Sequence, residues 1–96
     1  MEISPALLRE LKRLSDAELA VVQRAVRHFL ERTNENALQV ERKSGLEGIW
    51  AFRVTQGQRM FFLVRKEAGQ TINLLFHYGR HDDYRTVKER RPKLVR

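Results

Sequence analysis

Five side chains in the second half of the chain are of the types that can act on a phosphodiester: Arg53, Arg59, His77, His81 and Tyr84. Guanidinium groups present planar, paired donors that match phosphate oxygens. An imidazole both accepts and donates a proton near neutral pH. A tyrosine ring can stack on a base, and its hydroxyl can give up a proton. Taken singly, each has a plainer use. An arginine solubilises an exposed strand face. His81-Asp82-Asp83 serves as a turn and a helix cap, the commoner use of Asp there. Tyr84 packs. Adjacent residues rarely converge on one ion, so His81, Asp82 and Asp83 do not make a convincing metal site. No metal and no cofactor are expected.

The element that must position these groups runs from Ile49 to Tyr84. Three apolar runs separated by two Gly-containing turns have the pattern of an antiparallel meander. Side chains alternate with a period of two. Trp50, Phe52 and Val54, then Met60, Phe62 and Val64, then Ile72, Leu74 and Phe76 are therefore expected on one apolar face. The opposite face then carries Ala51, Arg53, Arg59, Phe61, Leu63, Arg65, Asn73, Leu75 and His77. It mixes cations with apolar groups, where a sheet covered on one side has a plainly polar outer face. Such a surface suits a polyanion with bases.

Upstream, Ser4-Pro5 is a helix start. Leu7, Leu8, Leu11 and Leu14 follow at helical spacing. Ser15 and Glu18 form a capping-box pattern before Leu19, Val22, Val26, Phe29 and Leu30, a stripe that runs to about Arg32. The two helices should form a hairpin covering the apolar face. Met1–Ser4 is a candidate short edge strand. Thr33–Asn36 should turn, Leu38–Glu41 extend, and Lys43–Gly48 loop. Asp82 or Asp83 should cap a short last helix ending near Arg91, before Pro92. The expectation is one α+β domain over 1–96: a helix hairpin on one face of a three- to four-stranded antiparallel sheet, with a short C-terminal helix.

Composition narrows the partners. The chain of 96 residues is 42% hydrophobic, has no cysteine, and carries a formal net charge of +7. Disulfides and thiolate metal sites are excluded, and no apolar run is long enough to span a bilayer. A cytoplasmic location without a signal peptide is expected. Residues 85–96 hold six cations against Glu89, a net +5 of the total. That excess favours nucleic acid or an acidic protein segment, although a solvated, frayed end is the plainer reading. There is no Gly-rich phosphate loop and no Ser-His-Asp grouping, so nucleotide hydrolysis and acyl-transfer chemistry are not supported.

In its second half the chain resembles the RelE/ParE toxin superfamily. Gly48-Ile49-Trp50-Ala51-Phe52-Arg53-Val54 is similar to that family's G-x-W-x-x-R-V strand. Gln58-Arg59-Met60-Phe61-Phe62 is similar to its y-R-x-x-f strand. Leu74 to Asp83 resembles the l-L-x-x-x-G-x-H-D-D end of one branch. The resemblance implies a toxin of a two-gene, type II toxin–antitoxin module. RelE-like members cleave messenger RNA, commonly on the ribosome; ParE-like members poison DNA gyrase. By resemblance, Arg59 occupies the place of a conserved nuclease arginine and His81 that of an acid–base group. Arg53 joins Arg59 at the phosphate, with His77 and Tyr84 as helpers. Arg80, Arg65, Arg85, Lys88, Arg90 and Arg91 would contact RNA. The cognate antitoxin should block the open face with an acidic segment, and no membrane is involved. A ParE-like gyrase inhibitor, or a silent binding module on the same fold, is the alternative.

Overall fold

Local capping chemistry sets the start of each helix. The computed structural model describes residues 1–31, 40–43 and 48–92. Ser4 caps α1 (Pro5–Leu11), accepting from the Leu7 amide, with Pro at its first turn. Ser15 caps α2 (Asp16–Glu31): the Glu18 amide donates to its Oγ at 3.2 Å, and that hydroxyl lies 3.3 Å from Glu18 Oε1. Glu18 thus meets the Ser15 hydroxyl, where a capping box would have it reach the Ser15 amide. The expected turn at 33–36, residues 38 and 39, and loop residues 44–47 lie outside the described residues, as do Lys93 and Arg96 of the basic end.

The strands are β1 (Glu2–Ile3), β2 (Glu41–Arg42), β3 (Ile49–Arg53), β4 (Gln58–Glu67) and β5 (Gln70–Arg80), and α3 (Tyr84–Arg90) closes the described chain. They form one sheet in the order β1-β5-β4-β3-β2. The β2–β5 ladder is antiparallel, but β1 runs parallel to β5. The sheet is therefore five-stranded and mixed, not antiparallel with three or four strands. Two very short edge strands account for the difference. β1 falls within the candidate edge strand Met1–Ser4, but two residues carry no periodicity that fixes a strand's partner or direction.

The two N-terminal helices cover one face. Leu7, Leu11, Val22, Ala25 and Phe29 pack with Phe52, Met60, Phe62 and Leu75. Phe29 stacks on Phe52 with ring centroids 4.4 Å apart, and meets Phe62 at 4.9 Å. Trp50, Val54 and Val64 pack partly against this cluster, as expected from their alternation. Ile72, Leu74 and Phe76 do not. The ladder between β4 and β5 shifts at Phe61/Phe62: Phe61 pairs with His77, but Phe62 pairs with Leu75. A bulge inserts one extra residue, and a one-residue slip sends side chains to the other face. Leu75 therefore enters the helix-side core, Asn73 sits opposite Val64 on that same side, and Phe76 joins the far side.

That far side is not open. Ile49, Ala51, Phe61, Leu63 and Phe76 form a second buried cluster under Val87 of α3. The sheet is covered by α1 and α2 on one face and by α3 on the other. Between α1 and α2 an apolar groove of 460 Å³ remains, lined by Ile3, Leu8, Leu19, Val26 and Leu30, with Lys12 and Arg27 at its edge. Leu30, expected in the apolar stripe, is 56% exposed there. Among the described residues, no helix is long and apolar enough to cross a membrane.

Candidate functional site

The β3–β4 turn and the end of β5 meet at one end of the sheet. Arg53 stands opposite Arg59, and Arg59 stands opposite Gly79, so three neighbouring strands contribute one row. Directly opposed residues share a face. Both arginines thus lie on the α3 side, in line with Phe61 and His77. The His81 amide donates to the Gly57 carbonyl at 3.2 Å, which ties the chain after β5 to the turn that precedes Arg59. The His81 side chain is exposed. Arg59 Nη1 donates to the carbonyls of Thr55 (2.9 Å), Gln56 (3.1 Å) and Gln58 (3.1 Å). The guanidinium therefore braces the turn as well as facing this end of the sheet.

His77 is placed differently from the expectation. It is only 4% exposed, under the start of α3 and 5.5 Å from the Phe61 ring. Its Nε2 lies 3.2 Å from Asp83 Oδ2. An ionised carboxylate only accepts, so Nε2 carries the hydrogen. Nδ1 is buried and has no hydrogen-bond partner among the described residues. Asp83 also caps α3, its other oxygen accepting from the Thr86 amide at 3.4 Å. One carboxylate thus joins a buried imidazole of β5 to the first turn of α3. Gly79 makes room for the pair: a Cβ there would stand 2.6 Å from His77 Nε2 and 3.3 Å from Asp83 Oδ2.

Burial works against charge on Asp83, but hydrogen bonds from Thr86 and His77, with the attraction of His77, outweigh it and hold its carboxyl below the ordinary value. The folded-state pKa lies below the unfolded one, so this contribution is present above about pH 4, the ordinary carboxylate pKa, and fades as pH falls through the folded value. Asn caps helices about as well as Asp. Asp83→Asn should therefore lower the melting temperature at pH 6, and the gap to the wild type should close below about pH 4. Melting curves from pH 6 to 3 measure this; a gap that stays constant into acid excludes an ionised latch.

The other expected contacts are partly spent inside the fold. Arg65 pairs with Glu2 at 2.7 Å and Glu67 at 3.0 Å, fastening β1 across the sheet. Arg90 pairs with Glu10, joining α3 to α1. Arg80–Asp82 and Arg85–Glu89, both at 3.4 Å, are exposed pairs worth little. Lys88 and Arg91 are exposed. Tyr84 is 42% exposed at the first position of α3. Lys43, expected only as a loop residue, is 7% exposed and lies 5.4 Å from the Tyr84 ring centroid. Among the described residues, no three His, Asp or Glu side chains gather to hold a metal ion.

Neither a family model nor a curated protein sequence matches the chain. Among solved structures it is similar to a YoeB/ParE toxin from Agrobacterium tumefaciens, with a TM-score of 0.61 at 14% identity. The match covers 84% of this chain and 99% of that one. The α+β fold is shared between the two.

Proposed function

We propose that this chain is the toxin of a two-gene toxin–antitoxin module, a metal-independent endoribonuclease that cuts messenger RNA and thereby stops translation. The observation that carries the reading is the row Arg53–Arg59–Gly79 with His81 secured beside it. In the reaction a 2′-hydroxyl attacks the adjacent phosphorus. The P–O5′ bond breaks, leaving a 2′,3′-cyclic phosphate and a 5′-hydroxyl. His81 serves as the acid–base group, and Arg59 and Arg53 steady the charge on the phosphorane. His77, buried, acts only through Asp83, by holding α3. Tyr84 meets a base. Arg80, Arg85, Lys88 and Arg91 track phosphates, while Arg65 and Arg90 mainly tie elements together. The ribosome is the proposed site of action and the cytoplasm the proposed location.

A cognate antitoxin would supply acidic groups for the basic face and apolar side chains for the groove between α1 and α2. The second reading is a ParE-like gyrase inhibitor or a silent binder. It draws on Arg59, whose guanidinium serves the turn carbonyls, and on the burial of His77. Brief induction in cells separates the two. New RNA 5′-hydroxyl ends and a fall in translation within minutes support the nuclease. Altered plasmid supercoiling with intact messages overturns it.

A further inference from the structure

Lys43 follows β2, its amide donating to the Ile49 carbonyl at 2.9 Å. Its ammonium is buried, and burying a charge is costly unless partners compensate. Two are present. Glu41 Oε1 lies 3.1 Å away, but Glu41 is half exposed. The Tyr84 ring, 5.4 Å from Nζ, is within the range of a cation–π contact. Tyr84 directly follows Asp83, so the first turn of α3 is held twice: by His77 of β5 and by Lys43 beside β2. The second hold acts on a large exposed aromatic side chain. A ring fixed in place loses less freedom when it stacks on a base than a ring that must first be ordered.

We propose that Lys43 is a positioning residue that holds the Tyr84 ring as a stacking platform for one nucleobase of the RNA. The inference rests on the ribonuclease reading above. Base–aromatic stacking is sequence-tolerant, so the platform sets where the strand lies, not which base it carries.

The test uses the full chain and 2′-O-methyl RNA oligomers, which lack the attacking hydroxyl and cannot be cut. One oligomer is intact; a matched set carries an abasic site at each position in turn. The wild type should bind the intact oligomer about tenfold more tightly than one member of the abasic set. Tyr84→Ala and Lys43→Met should both erase that preference, and Lys43→Arg should retain it. A residue that only stabilises the fold would lower the melting temperature and leave the ratio unchanged. Should Lys43→Met fail to fold, Lys43→Gln removes the charge while keeping a donor for Glu41, and the same ratio is read. A ratio kept in the folded Lys43 variants but lost in Tyr84→Ala overturns the role of Lys43. A ratio that ignores Tyr84 overturns the platform while RNA binding stands. No binding of any oligomer by the wild type overturns this inference, while the nuclease reading is decided separately, by the new RNA 5′-hydroxyl ends on induction.

Discussion

His81→Ala should lower the rate of RNA cleavage by about 10²- to 10⁴-fold, the range for loss of a general acid–base group. Stability should stay within about 0.5 kcal/mol, because the side chain is exposed and the hydrogen bond from the residue 81 amide to the Gly57 carbonyl survives the change. Arg59→Ala should behave otherwise. It removes a phosphate partner, a loss of about 10²- to 10³-fold for one stabilising donor. It also removes a donor shared by the carbonyls of Thr55, Gln56 and Gln58, of which Thr55 and Gln58 keep backbone donors, so the melting temperature should fall too. Arg59→Lys separates the effects, since it keeps the charge but not the planar fork. Cleavage of a ribosome-bound message and thermal melting are the two measurements. Unchanged toxicity and cutting in both alanine variants would show that the roles assigned here are wrong.

Legibility in the sequence followed the length and regularity of each element. The caps Ser4 and Ser15 declared themselves, because a short oxygen-bearing side chain before an amphipathic run has few other uses; the last cap was open between Asp82 and Asp83, and Asp83 takes it. The helix-side face was legible along β3 and β4, where alternation is unbroken. It failed on β5, because a bulge at Phe76–His77 interrupts the period and no local residue type announces it. One signal did point to the second cluster. Phe61-Phe62-Leu63-Val64 is a continuous apolar run, the mark of a strand covered on both faces. Read that way, the mixed face needs a cover, and among the described residues α3 supplies it. The burial of His77 follows from the same fact. The ionic links Arg65–Glu2 and Arg90–Glu10 could not be read, because they join residues far apart in the chain. Lys43 escaped for the same reason: only the return of α3 brings Tyr84 to it.

The tightest spot in this arrangement is Gly79, and Gly79→Ala should destabilise the protein by about 1–3 kcal/mol, the usual cost of overpacking. For a domain of this size that is a fall of about 4–8 °C in melting temperature per kcal/mol. A Cβ at 2.6 Å from His77 Nε2 cannot be accommodated in place. His77 has little room to retreat, being 4% exposed and packed near Phe61. The strain should therefore open the contact with Asp83 and loosen the first turn of α3, which hydrogen exchange of the α3 amides reports. The sign should reverse once the imidazole is gone. In a His77→Ala background, Gly79→Ala meets no ring, only Asp83 Oδ2 at 3.3 Å on a carboxylate released from His77 and free to shift, and relief of glycine's excess entropy in a strand is worth about 0.5–1 kcal/mol. The double-mutant cycle thus carries a large coupling between two residues of one strand. Because Gly79 is opposite Arg59, the single variant should also impair RNA cutting, whereas the double variant should keep the row and lose only the latch. Equal stability and equal α3 protection in Gly79→Ala and wild type would mean that the imidazole–carboxylate pair does not hold the helix.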